Sequence, residues 1–116
     1  MKRSIKDVQR QSVSEELAVM ILNVVAIVPY GKVVSYGQVA AMAGLPKHAR
    51  LVGRVLSRMD EDSEIPWHRV INSQGRISLS RLDDHGYNVQ QAKLLSEGVA
   101  IVNGKVSFKA FGWTGA

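Results

Sequence analysis

The sequence predicts an α+β fold, mainly helical: a winged helix-turn-helix domain with small β-hairpins. Three observations predict it. Two short helical segments, Ser35 to Ala43 and Lys47 to Met59, flank the breaker Gly44-Leu45-Pro46, which is the helix-turn-helix arrangement. A longer apolar helix precedes them. Short alternating runs separated by turn residues follow them. At 116 residues, the chain can build one core but not two ordinary domains.

Taken in order, residues 1–12 form a basic N-terminal arm carrying Lys2, Arg3, Lys6 and Arg10, and residues 13–116 form the single domain. Ser12-Val13-Ser14-Glu15 fits a capping box opening the first helix. Val13, Leu17, Met20, Ile21, Val24 and Val28 recur at helical spacing, and the opposite stripe is only weakly polar, so this helix is expected centrally in the core. Pro29-Tyr30-Gly31 ends it. Ser35-Tyr36-Gly37-Gln38 is a second capping box, with Val39, Ala40 and Ala43 inward. In the next helix Ala49, Val52, Val55 and Leu56 face inward. Pro66 argues against a regular helix after the acidic loop Asp60–Glu64. Asn72-Ser73-Gln74-Gly75 followed by Arg76-Ile77-Ser78-Leu79 reads as a wing. Asn88 to Glu97 is a last helix stopped at Gly98, and Tyr87 before it is expected in the core. Val99–Val102 and Lys105–Phe108 flank Asn103-Gly104, a type I′ hairpin signal.

The charge balance narrows the function. Fifteen Lys and Arg against ten Asp and Glu give +5. A small basic domain calls for an anionic partner, most often nucleic acid. Lys47, Arg50, Arg54 and Arg58 are spaced three, four and four apart, which aligns them on one helix face. Outside the acidic loop the chain carries +9. A basic stripe on the second helix of a helix-turn-helix points to DNA. The apolar run Leu17 to Val28 falls short of the roughly 20 residues a membrane span needs, so no membrane is implicated. Cysteine is absent, which excludes disulfides, thiolate metal sites and a cysteine nucleophile. His48, His68 and His85 lack ligand spacing, so no metal and no cofactor are expected. The chain reads as a soluble, cytoplasmic, monomeric protein.

The segment Pro66-Trp67-His68-Arg69-Val70 carries the sharpest signal. It resembles the Pro-Cys-His-Arg-Val motif of the O6-alkylguanine-DNA alkyltransferases. Pro29 to Ala40 and Ala49-Arg50-Leu51-Val52-Gly53 are similar to that family as well, in the same order. The resemblance spans about Leu17 to Gly98. Tryptophan in the cysteine position resembles the alkyltransferase-like subgroup. That resemblance implies a protein that binds O6-alkylguanine in duplex DNA by flipping the nucleotide and flags it for nucleotide excision repair. The chemistry agrees: dealkylation needs a thiolate to accept the alkyl group, and this chain has none, so no enzymatic activity is expected.

By the same resemblance, Arg50 is an arginine finger filling the space of the extruded base. Tyr36, Trp67, Val70 and Arg81 form the lesion-base pocket, with Ser80 the alternative to Arg81. Trp67 would close the pocket by stacking, and Val70 would offer its backbone carbonyl to the guanine amino group. Ser35, Lys47, Arg54 and Arg58 contact the DNA backbone. His68 and Glu97 act as a polar bridge supporting the pocket, not as catalysts. Met59-Asp60 replaces the family's asparagine hinge, and Ser78–Arg81 its Gly-Gly lid, which implies room for larger alkyl groups. The alternative from the residues alone is a sequence-specific winged-helix transcriptional regulator. A hydrolase using His68 and Glu97 lacks any nucleophile.

Overall fold

A computed structural model describes residues 5–77 and 81–115. Ser80 and the part of the expected wing at 78–79 lie outside the described residues.

The first helix, α1 (Ile5–Ala26), starts earlier than its sequence signals suggest. It runs through Ser12, so the Ser-x-x-Glu pattern there is not its cap, and most of the expected arm is helical. Its buried face is also narrower than expected. Ile21, Val24 and Val25 are buried, as is Val28 just past the helix end, while Val19 and Met20 on the helix and Ile27 after it are exposed. The helix lies against the core along one stripe and is not surrounded by it.

The capping box at Ser35 opens α2 (Tyr36–Met42): Ser35 Oγ accepts from the Gln38 amide at 3.0 Å. The glutamine does not complete the box. Its Nε2 donates to the Trp113 carbonyl at 2.6 Å, tying α2 to the C-terminal tail. Helix α3 (Ala49–Ser57) is shorter than predicted and leaves Lys47 ahead of its His48 N-cap, because Gly44-Leu45-Pro46 and the turn after it delay the start. Its apolar face buries Val52 and Leu56. A 3-10 turn (Trp67–Arg69) follows the acidic loop, as Pro66 leads one to expect a departure from α-helix there. Helix α4 (Val89–Ser96) starts on an Asn88 cap that accepts from the Gln91 amide at 2.9 Å.

The regular sheet is a parallel pair and not a hairpin: β1 (Val34–Ser35) against β2 (Val70–Ile71), with Val34 opposite Val70. Strand side chains alternate between faces, and this pair uses the alternation to divide two cores. Val34 and Val70 point into the larger one, with Ile21, Val39, Val52, Leu56 and Trp67. Val33 and Ile71 point into the smaller one, with Leu94, Val99 and Val106. Burying a side chain of this size contributes roughly 1.5–3 kcal/mol, so the short strands are held by what they bury on both sides.

The Asn103-Gly104 turn forms, with both residues at positive φ (52° and 74°) and Val102 paired to Lys105. The long strands around it do not. Lys105 pairs with Arg76, and Phe108–Phe111 turns into a short helix, α5, capped by Ser107. The tail then returns to the sheet. The Val33 amide donates to the Phe111 carbonyl, and the Trp113 amide donates to the Val33 carbonyl, both at 2.9 Å. Residues 112–113 thus run parallel beside Val33 as an added strand. Tyr87, expected inside, is 70% exposed, because the turn from Asp83 to Tyr87 closes on its own backbone and leaves the ring outside.

Candidate nucleic-acid interface

Helix α3 separates its residues by chemistry. Val52 and Leu56 face the core, while Lys47, Arg50, Arg54 and Arg58 are all exposed. Arg50 and Arg54 sit on the helix, and Arg58 is its C-cap. Tyr36 stands at the start of α2 beside Gly53 of α3, where an added Cβ would lie 3.9 Å from the tyrosine ring. That is ordinary van der Waals range, so the tyrosine ring packs beside Gly53, between Arg50 and Arg54 on the basic helix. Ser35, Tyr36 and the exposed arginines therefore occupy neighbouring parts of the surface.

Trp67 is not an open pocket wall. It is fully buried in the larger core. Its Nε1 donates to the Glu61 carbonyl at 3.3 Å, holding the acidic loop to the core. The guanidinium of Arg81 lies over the indole, 4.6 Å from the ring centroid. Arg81 also donates through Nη1 to the Met59 carbonyl (2.5 Å) and through Nη2 to the Leu56 carbonyl (2.8 Å). These are carbonyls at the end of α3, where a helix lacks its own donors and favours a cation. The structure thus brings Trp67 and Arg81 together as a stacked pair. Val70 is buried, and its carbonyl already accepts from Gln90 Nε2 at 2.8 Å.

His68 and Glu97 meet, with Nε2 2.5 Å from Oε2. The carboxylate does more than bridge to the histidine. Arg69 reaches it through Nε (2.9 Å to Oε1) and Nη2 (2.8 Å to Oε2), and the Gly31 amide donates to Oε1 at 2.9 Å. Arg69 continues to the Val28 carbonyl at 2.7 Å and sits over the Tyr30 ring. One carboxylate therefore joins the end of α1, the 3-10 turn and the end of α4. Burial alone would raise the Glu97 pKa, but Arg69, the Gly31 amide and His68 together outweigh it and hold the group at about 2. Burial lowers the His68 pKa against the opposing pull of Glu97, favouring the neutral ring.

Sequence reasoning gave no role to Arg69 or Gln90. A signal existed for each. An arginine between the inward-facing His68 and Val70 needs a carboxylate, and Glu97, the partner of His68, is the one within its reach. Gln90 lies four residues before buried Leu94, on the inward face of α4. It is fully buried, and its Nε2 donates to the carbonyls of both His68 and Val70.

An exposed basic helix beside a capped α2, over a buried aromatic turn, defines a helix-turn-helix domain built to meet a polyanion. Comparison with known proteins identifies the family. Residues 16–99 match the model of the 6-O-methylguanine DNA methyltransferase DNA-binding domain, and the chain belongs to that family. It is 42% identical over 100 residues to the DNA base-flipping protein of Vibrio parahaemolyticus, covering 85% of this chain and 97% of that one. It is 40% identical to alkyltransferase-like protein 1 of Schizosaccharomyces pombe over 87 residues, 75% of this chain and 80% of that one. The crystal structure of S. pombe Atl1 in complex with damaged DNA containing O6-carboxymethylguanine superposes with a TM-score of 0.77 at 35% identity, covering 86% of this chain and 96% of that one.

Proposed function

We propose that this protein recognises O6-alkylguanine in duplex DNA, flips the modified nucleotide out of the stack and holds it without removing the alkyl group. The supporting observation is a Pro-Trp-His-Arg-Val turn in a chain without cysteine, in a domain family whose S. pombe relative has been crystallised on O6-carboxymethylguanine DNA. Without a thiolate there is no acceptor for the alkyl group.

In this reading Arg50 enters the duplex from α3 and occupies the vacated space. Extrusion costs a few kcal/mol of stacking, which the inserted side chain offsets. Tyr36 and Ser35 sit at the backbone beside the flipped nucleotide, and Lys47, Arg54 and Arg58 neutralise phosphates. Trp67 serves as the floor of the pocket and not as its exposed wall. Its ring supports the flat guanidinium of Arg81, and that cation presents its outer face to the altered guanine. The Glu97 hub keeps the turn that carries Trp67 in place. The complex then marks the lesion for nucleotide excision repair.

Two measurements test this together. A 2-aminopurine at the target position brightens when it leaves the stack on binding. After prolonged incubation with O6-methylguanine duplex, the intact protein keeps its mass and the lesion is recovered whole. A methyl adduct on the protein, or fluorescence that stays quenched at saturation, contradicts the reading.

A further inference from the structure

The family match ends at residue 99, yet the described chain continues to 115. This last segment is anchored rather than loose. The Val106 amide donates to the Gly75 carbonyl at 2.9 Å, and Gly75 has φ +82° where a Cβ would strike the Val106 carbonyl. The turn 72–76 is thereby locked onto the Asn103-Gly104 hairpin.

The lock sets Arg76 directly opposite Lys105 in an antiparallel bridge. Side chains opposite one another in such a bridge share a face, and like charges there repel. Both residues are exposed. Neither 65–82 nor 98–116 contains an acidic residue that could relieve them. The turn that carries Arg76 also lies beside the N-cap of α2, at the edge of the proposed DNA surface. Tyr36 borders α3 at Gly53, and its neighbour Ser35 lines a surface cavity of about 350 Å3 together with Ser73 and Thr114. Ser73 belongs to the same turn as Arg76.

We infer that Arg76 and Lys105 form a second phosphate-binding surface, supplied in part by the C-terminal segment, that holds the duplex backbone beyond the nucleotides α3 contacts. The inference rests on the DNA-binding reading above. An anion between the two cations would turn a repulsive pair into a bridged one. Since the contact is to phosphate, it adds affinity without reading the lesion.

The test is the double variant R76A/K105A in the full chain. The bridge and the turn are made by backbone atoms and by Asn72, so the substitutions leave them intact. Binding is measured across a salt series on O6-methylguanine and unmodified duplexes, each in a short form and in one longer by a helical turn of about 10 bp. On the long duplexes the slope of log K against log salt should fall by about 2, at roughly 0.9 per phosphate. Modified and unmodified DNA should lose affinity by the same factor, and R76K/K105R should restore the slope. An unchanged slope on the long duplexes overturns the inference, as does an equal fall on the short ones. Should the variant fail to fold, R76Q/K105Q carries the same test. A wild-type protein that ignores the lesion would overturn the recognition reading instead, leaving the slope comparison still able to decide this one.

Discussion

Arg81 rests on Trp67 with its guanidinium carbon 4.6 Å from the ring centroid, and the same guanidinium caps the carbonyl end of α3. The pair couples the buried floor of the proposed pocket to the basic helix. Removing the indole should therefore cost fold and function together. Trp67→Ala is expected to destabilise by about 3–5 kcal/mol through cavity formation, read as a large fall in Tm. Trp67→Phe should fold and still bind lesion DNA. A wild-type Tm for Trp67→Ala would mean the ring is not the core element described.

Arg81→Ala should separate recognition from general DNA affinity. It removes the cation proposed to face the base while leaving Arg50, Arg54 and Arg58 in the sequence. The modified-to-unmodified affinity ratio should shrink several-fold while the salt slope changes by no more than about 1. Equal losses on both duplexes would reduce Arg81 to a backbone contact.

The stripe on α3 makes the complementary prediction. Arg54→Ala and Arg58→Ala should each weaken modified and unmodified duplexes alike and lower the salt slope by about 1. Arg50→Ala should weaken the modified duplex more if, as proposed, its side chain fills the vacated base position. Fluorescence anisotropy at several salt concentrations checks both.

Acid stability should report on the Glu97 hub. Glu97 is held down to about 2 from 4.5, so its contribution is fully present above pH 4.5 and is lost as pH falls through 2. That difference is worth on the order of 3 kcal/mol. His68, lowered from 6.5, acts in the same direction, since the unfolded chain takes up its proton first as pH drops below 6.5. Melting temperature should therefore decline below pH 6.5 and steeply below pH 4.5. Glu97→Gln should lower stability at neutral pH and flatten the acid limb, and a limb as steep as in the wild type would contradict the assignment.

The parts of this fold that local chemistry dictates were legible in the sequence. Ser35 and Asn88 cap where their side chains can reach the third amide on, and Asn103-Gly104 turns because both residues tolerate positive φ. The alternation at Val33-Val34 and Val70-Ile71 was too short to announce a sheet, and its parallel partner is distant in sequence. Helix α5 spans four residues, less than the length over which a period can be read. The basic stripe and the His68–Glu97 contact could be anticipated from spacing and motif. The burial of Trp67 could not, because it follows a charged loop and is covered by Arg81 from another segment.

Lesion recognition itself is tested most directly by titrating the protein against two duplexes, identical except for one O6-methylguanine, at one fixed salt concentration. The modified duplex should bind at least about tenfold tighter, a difference of roughly 1.4 kcal/mol. Equal affinities would contradict the account and leave a basic helix-turn-helix domain that binds DNA without sensing the alkyl group.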